Sequence, residues 1–125
     1  MLNRGEIRLA DLNPGRGTEP GKTRPVLIVQ CQDLLDAEHP STLILPLTTN
    51  LIADAAPLRL RIKAGGGLKH DSDLLIDQLR TIDNRRLAGE TILQCPAETM
   101  EKVDQYLAEL LDLHPVLQTV NPITP

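Results

Sequence analysis

The chain has a single tyrosine, Tyr106, and no phenylalanine or tryptophan. Modules that grip single-stranded nucleic acid by stacking bases need several aromatic rings, so any nucleic-acid handling here cannot rest mainly on stacking. Cysteine is almost as scarce. Cys31 and Cys95 stand far apart with no Cys-x-x-Cys pair, which excludes a disulfide scaffold or a zinc ribbon and predicts two small, buried or partly buried thiols. No apolar run approaches the roughly 18 residues of a spanning helix, and Met1-Leu-Asn-Arg-Gly-Glu lacks the apolar centre of a secretion signal, so a cytoplasmic protein is expected. His39, His70 and His114 show no HxxxH or HExxH spacing and no Ser-His-Asp order stands out, so neither a metal site nor a nucleophilic triad is predicted. His70, beside Asp71, could act as an acid or base but reads more readily as a solvated turn histidine.

What is present suits one ordinary domain. The 125 residues are 41% apolar and 24% charged, enough for a single core. The net charge of −4 argues against a uniformly basic surface, but it is unevenly spread. Residues 1–30 carry five positive and three negative charges and residues 61–90 six and five, against one and four over 31–60 and one and five over 91–125. A local cationic site can be built from the first and third of these stretches.

Residues 5–12 alternate through Ile7 and Leu9 as a half-buried strand. Residues 13–23, rich in glycine and proline and without an apolar side chain, cannot join a core and form a loop long enough to carry function. Arg24-Pro-Val-Leu-Ile-Val-Gln continues as a buried strand, and residues 42–49 as another, with Pro46 marking an edge or bulge. Pro57 to Ile62 alternates and turns at Ala64-Gly-Gly-Gly, and Asp73–Ile82 and Glu90–Gln94 supply two more strands. One helix is predicted over 96–112, from Met100, Val103, Leu107, Leu110 and Leu111 at helical spacing. About six strands and one helix make a mainly β, α+β fold: a small barrel or curled antiparallel sheet with the C-terminal helix packed against it. The domain is expected to end near residue 113, with 114–125, rich in proline, as an extended or flexible tail.

Arg24 opens a buried strand just after the glycine-rich loop, and Thr48 closes another. A guanidinium is permanently charged and presents a planar fork to phosphate oxygens, so it can stabilise a phosphoryl transition state, and a neighbouring threonine hydroxyl can hydrogen-bond the same phosphate. Taken singly, the two are an ordinary strand-end arginine and an ordinary β-former. Gln78 and Arg80, two apart on one expected strand, would project from the same face and offer donors to a backbone or base edge, although, taken alone, a cross-strand ion pair from Arg80 to an aspartate explains the arginine better. Arg85 and Arg86 read as solvated loop charges. The segment Gly15-Arg-Gly17 with Gly21-Lys22 lacks the spacing of a P-loop, so nucleotide hydrolysis is not supported.

Together these segments resemble the MazF/PemK family of toxin-antitoxin endoribonucleases, from Arg4 to about Leu113. The opening Arg4-Gly-Glu-Ile with Asp11-Leu-Asn-Pro is similar to the family's first strand, and Gly17-Thr-Glu-Pro-Gly-Lys-Thr-Arg24-Pro-Val-Leu-Ile-Val-Gln to its loop and second strand. Pro46-Leu-Thr-Thr-Asn matches the third-strand motif. Gly67-Leu, Asp71-Ser, Asp77-Gln-Leu-Arg-Thr-Ile-Asp and Arg86-Leu match the family's most recognisable stretch.

The resemblance implies an SH3-like, CcdB-like barrel, a homodimer, and an mRNA interferase that cuts single-stranded RNA at specific sequences without a metal or cofactor, and so inhibits translation. Arg24 and Thr48 match the catalytic arginine and threonine. Thr18, Glu19 and Lys22 match the loop that borders the RNA, and Gln78, Arg80 and Thr81 the strand that lines its groove. The implied partner is a small antitoxin with a flexible acidic segment, through which alone DNA would be met. The family commonly has an aromatic residue where this chain has Arg8, so base recognition rests on hydrogen bonds and shape. No histidine falls on a family motif position, which leaves Glu19 as the candidate base. The alternative is a protein-directed toxin of the same fold, like the gyrase poison CcdB; such toxins end in Trp-Gly-Ile, whereas this chain ends in Asn121-Pro-Ile-Thr-Pro.

Overall fold

The computed structural model describes residues 1–19 and 21–114. Seven strands, β1 (Glu6–Asp11), β2 (Thr23–Ile28), β3 (Ser41–Thr48), β4 (Arg59–Ile62), β5 (Ser72–Leu75), β6 (Arg80–Asp83) and β7 (Leu87–Gln94), are joined by a short helix α1 (Gln32–Asp36) and followed by α2 (Ala97–Leu110). All pairings between these strands are antiparallel, in the order β4-β5-β3-β2-β1-β7, with β6 on β3. The mainly β class with a C-terminal helix is as expected. The sheet curls without closing, since β4 and β7 end the order and do not pair with each other.

The buried run of β2 sits between two cores. Leu27 packs with Ile7, Leu45 and Leu74 beneath Met100 and Val103 of α2, while its neighbours Val26 and Ile28 pack on the other face with Ala10, Ile44, Ile82 and Leu35 of α1. A strand covered on both faces must be apolar at every position, which is why this run does not alternate. Helix α2 starts after Pro96, whose missing N–H costs nothing there. Arg4 ties it down through an ion pair to Asp104 at 2.5 Å while its Nε donates to Val29 O at 3.0 Å.

Several expectations change. The strand predicted over 73–82 is two strands, because a 3₁₀ turn at Ile76–Gln78 loops out between them. Both halves still run along one edge of β3: β6 pairs Ser41 to Ile44, and β5 pairs Leu47 and Thr48. Pro46, which has no N–H to offer a ladder, falls at the join. Leu111 lies past the end of α2 and is exposed rather than part of its apolar stripe. Cys31 is exposed, in front of the unpredicted α1, and only Cys95 is buried, where loss of hydration pushes its thiol pKa up. The proposed tail lies, from residue 115 on, outside the described residues.

Candidate active site

The loop between β1 and β2 is closed at its neck. Leu12 N–H donates to Lys22 O at 2.9 Å, and Lys22 N–H donates to Asn13 Oδ1 at 2.6 Å. Arg86 completes the clamp, its Nη1 donating to Asp11 O at 3.0 Å and Asn13 O at 2.8 Å. Arg86 is therefore a structural clamp and not the solvated charge its turn position suggests, whereas Arg85 is exposed and pairs with Asp83, whose carboxyl is pulled down to about 2 by hydrogen bonds from the Arg85 side chain and backbone. Lys22 adopts φ 68°, the left-handed region that a side chain occupies at a cost of about 1 kcal/mol or more. The neck hydrogen bonds hold it there.

Immediately after this neck, the half-buried Arg24 donates from Nε to Gly21 O at 3.0 Å and from Nη1 to Leu47 O at 3.2 Å. The guanidinium is thus fixed between the loop's end and β3, and among the described residues its Nη2 makes no hydrogen bond. Thr48, the last residue of β3, accepts at Oγ1 from Asn50 N–H at 3.2 Å and keeps its own proton to give. Both side chains line one cavity of about 610 Å³. Lys22, Lys69 and His70 share its wall, and Leu9, Leu68 and Ile92 supply apolar surface. Three cations beside the Thr48 hydroxyl in a concave site make a receptor for a phosphodiester flanked by less polar groups.

Behind Thr48, the next segment is anchored by a buried carboxylate. Asp73, opposite Thr48 in the β3–β5 register, accepts from Arg61 Nε at 2.5 Å, Arg59 Nη1 at 3.2 Å and Ile52 N–H at 2.9 Å. Arg59 also donates to Asn50 O at 2.8 Å. Burial works against ionising Asp73, but the hydrogen bonds from Arg61, Ile52 and Arg59 outweigh it and hold the carboxyl below its ordinary range.

Of the residues singled out from sequence, the cavity unites Lys22, Arg24 and Thr48. Thr18 and Glu19 are exposed on the loop and do not line it. Gln78, Arg80 and Thr81 lie elsewhere: Gln78 is in the 3₁₀ turn, which removes the shared-face argument, and Arg80 and Thr81 pair with Ile44 and Leu43 at the far half of β3. No aspartate pairs with Arg80 among the described residues, and its buried Nη1 has no hydrogen-bond partner there. Sequence reasoning missed Lys69 and set His70 aside as a solvated turn residue, because their place in the cavity depends on where the 64–68 turn docks. The local hints were the glycine run before them and the Gly67-Leu and Asp71-Ser matches that flank them.

The sequence pattern of the family described as "PemK-like, MazF-like toxin of type II toxin-antitoxin system" matches residues 3–111. The chain is 35% identical over 108 residues to Endoribonuclease EndoA of Bacillus subtilis (strain 168), covering 86% of this chain and 91% of that protein. Among solved structures, MazF (Form-I) from Deinococcus radiodurans aligns with a TM-score of 0.73 at 23% identity, over 90% of this chain and 97% of that one. An endoribonuclease in complex with its cognate antitoxin from a mycobacterial species aligns with a TM-score of 0.72 at 22% identity, over 93% and 100%. The two structures agree with the fold, and the extent of the family match carries the assignment: this chain belongs to the PemK-like, MazF-like toxins of type II toxin-antitoxin systems.

Proposed function

We propose that this toxin is an endoribonuclease that cuts single-stranded RNA at specific sequences, with residues 1–113 as its one catalytic domain. The observation that carries the reading is the pinned Arg24 guanidinium sharing a cavity with Thr48 and Lys22. In the proposed reaction the ribose 2′-oxygen bonds to the adjacent phosphorus as the P–O5′ bond breaks, leaving a cyclic phosphate and a 5′-hydroxyl. Charge builds on the equatorial oxygens in the transition state, and a donor already held in place needs no reorganisation to meet it. Arg24 supplies that donor, Thr48 orients the phosphate and Lys22 adds a phosphate contact. Thr18 and Glu19 border the RNA from the loop, and Gln78, Arg80 and Thr81 serve nucleotides that flank the cut.

The wider reading follows from the family. A cognate antitoxin with an acidic segment would suit the cationic cavity, and a homodimer acting on cytoplasmic RNA completes the proposal; among the described residues no helix is long and apolar enough to cross a membrane. The experiment is to incubate wild type and Arg24→Ala with a long unstructured RNA in EDTA and map new 5′ ends. Discrete cuts by wild type alone are expected, and a 2′-deoxy nucleotide at the cut position should block them. Intact RNA throughout would abandon this reading in favour of a protein-directed toxin.

A further inference from the structure

Attack by a 2′-hydroxyl requires a group that accepts its proton. Lys22, Arg24 and Lys69 are cations with no acceptor lone pair, and the Thr48 hydroxyl is not a base. His70 is the one remaining side chain on the cavity wall, among the described residues, that carries a basic lone pair. Glu19, the candidate from sequence, does not line the cavity.

His70 is exposed, but the backbone that carries it is fixed. Gly65 and Leu68 exchange backbone hydrogen bonds at 3.0 and 2.8 Å, and Gly67 N–H donates to Ile92 O on β7 at 2.7 Å. The approach is tight: a Cβ on Gly66 or Gly67 would meet Ile92 O at 3.0 or 3.1 Å, and Gly66 has φ +53°, which favours glycine. Leu68, 6% exposed, seats the turn in the core. Beyond it, Ser72 Oγ donates to His70 O at 3.0 Å, and the Asp71 carboxylate accepts from Ala64 N–H at 2.8 Å. The charged groups that share the wall with the imidazole are Lys69 on its own segment, Lys22 at the loop neck and Arg24 on β2.

We propose that His70 is the general base of the cleavage, an inference that rests on the endoribonuclease reading above. Neutral imidazole takes the 2′-hydroxyl proton while the 2′-oxygen bonds to phosphorus. The electron pair of the breaking P–O5′ bond stays on the 5′-oxygen, which receives a proton from water, and the imidazolium returns its proton to solvent.

The test compares single-turnover cleavage by wild type, H70Q, H70A and R24A between pH 5 and 8, on a short RNA carrying one mapped cut site. Wild type should lose rate in acid as its base is protonated. H70Q should be slower by roughly 10²-fold and lack that acid fall, while binding an all-2′-deoxy version of the oligonucleotide as wild type does. H70A should regain rate with added imidazole. Cleavage that depends on Arg24 but is unchanged in rate and pH profile by H70Q would overturn this proposal alone. A defect in H70Q seen only as weaker binding, with the rate at saturation preserved, would also overturn it. Intact RNA with folded wild type would remove both this proposal and the reading beneath it.

Discussion

Asp73 offers the sharpest test of how the fold supports the cavity. Its side chain is 1% exposed and accepts from two guanidinium groups and a backbone N–H, so Asp73→Ala removes three contacts and strands two cations. Breaking a buried pair by deleting one partner costs about 3–5 kcal/mol. Arg59 and Arg61 keep 19% and 39% of their side-chain surface in solvent and can partly rehydrate, which favours the low end, about 3 kcal/mol. For a domain of this size that is a fall in Tm of roughly 10 °C. Asp73→Asn should lose less, about 2 kcal/mol, because its amide oxygen can still accept from Ile52 N–H but no longer offers charge to the arginines. Urea unfolding followed by circular dichroism at neutral pH reads both values. The pH dependence has a definite sign. A carboxyl held below its unfolded value of about 3.9 stabilises the fold above that pH, and the contribution is lost as pH falls through the folded value. The gap between wild type and Asp73→Asn should therefore narrow below about pH 4. A variant within about 0.5 kcal/mol of wild type at neutral pH, or a gap that persists in acid, would refute the reasoning.

Two further predictions concern the loop. Lys22→Gly relieves a left-handed lysine, so stability should stay level or rise by up to about 1 kcal/mol. RNA affinity should nevertheless drop, with the slope of log K against log salt shallower by about 0.7; an unchanged slope would show that Lys22 meets no phosphate. Arg86→Ala removes the two hydrogen bonds that this side chain adds to the neck, at a cost of about 1–3 kcal/mol, and should speed proteolytic nicking within residues 13–19 without altering the rest of the digest. Equal nicking rates would assign the neck to the Lys22 and Asn13 contacts alone.

The elements and the chemistry were legible where the signal is local. The unbroken Val26–Ile28 run and the helical spacing of Met100, Val103 and Leu107 report which side chains face a core, because period and polarity are properties of a few neighbouring residues. The alternation through Ile7 and Leu9 holds only for Ile7, since the register of β1 on β7 shifts between them, leaving Leu9 exposed and Ala10 buried. Arg24 and Thr48 were legible as strand ends with the right chemistry, and as motif matches. Less readable were events that depend on partners far along the chain. The break at Ile76–Gln78 arises because two stretches share one edge of β3 around Pro46, and Arg86 becomes a clamp only because β7 lies beside β1.

The sequence by itself determined the fold class and, through ordered motifs, the family, and the family resemblance named Arg24 and Thr48 as the candidate pair. Tertiary structure alone decided who shares the cavity. It brought Lys69 and His70 in, through a glycine turn packed on Ile92, and left Gln78, Arg80 and Thr81 outside. The physical reason is that strand register and turn docking are settled by the packing of the whole sheet, which no short window of sequence contains.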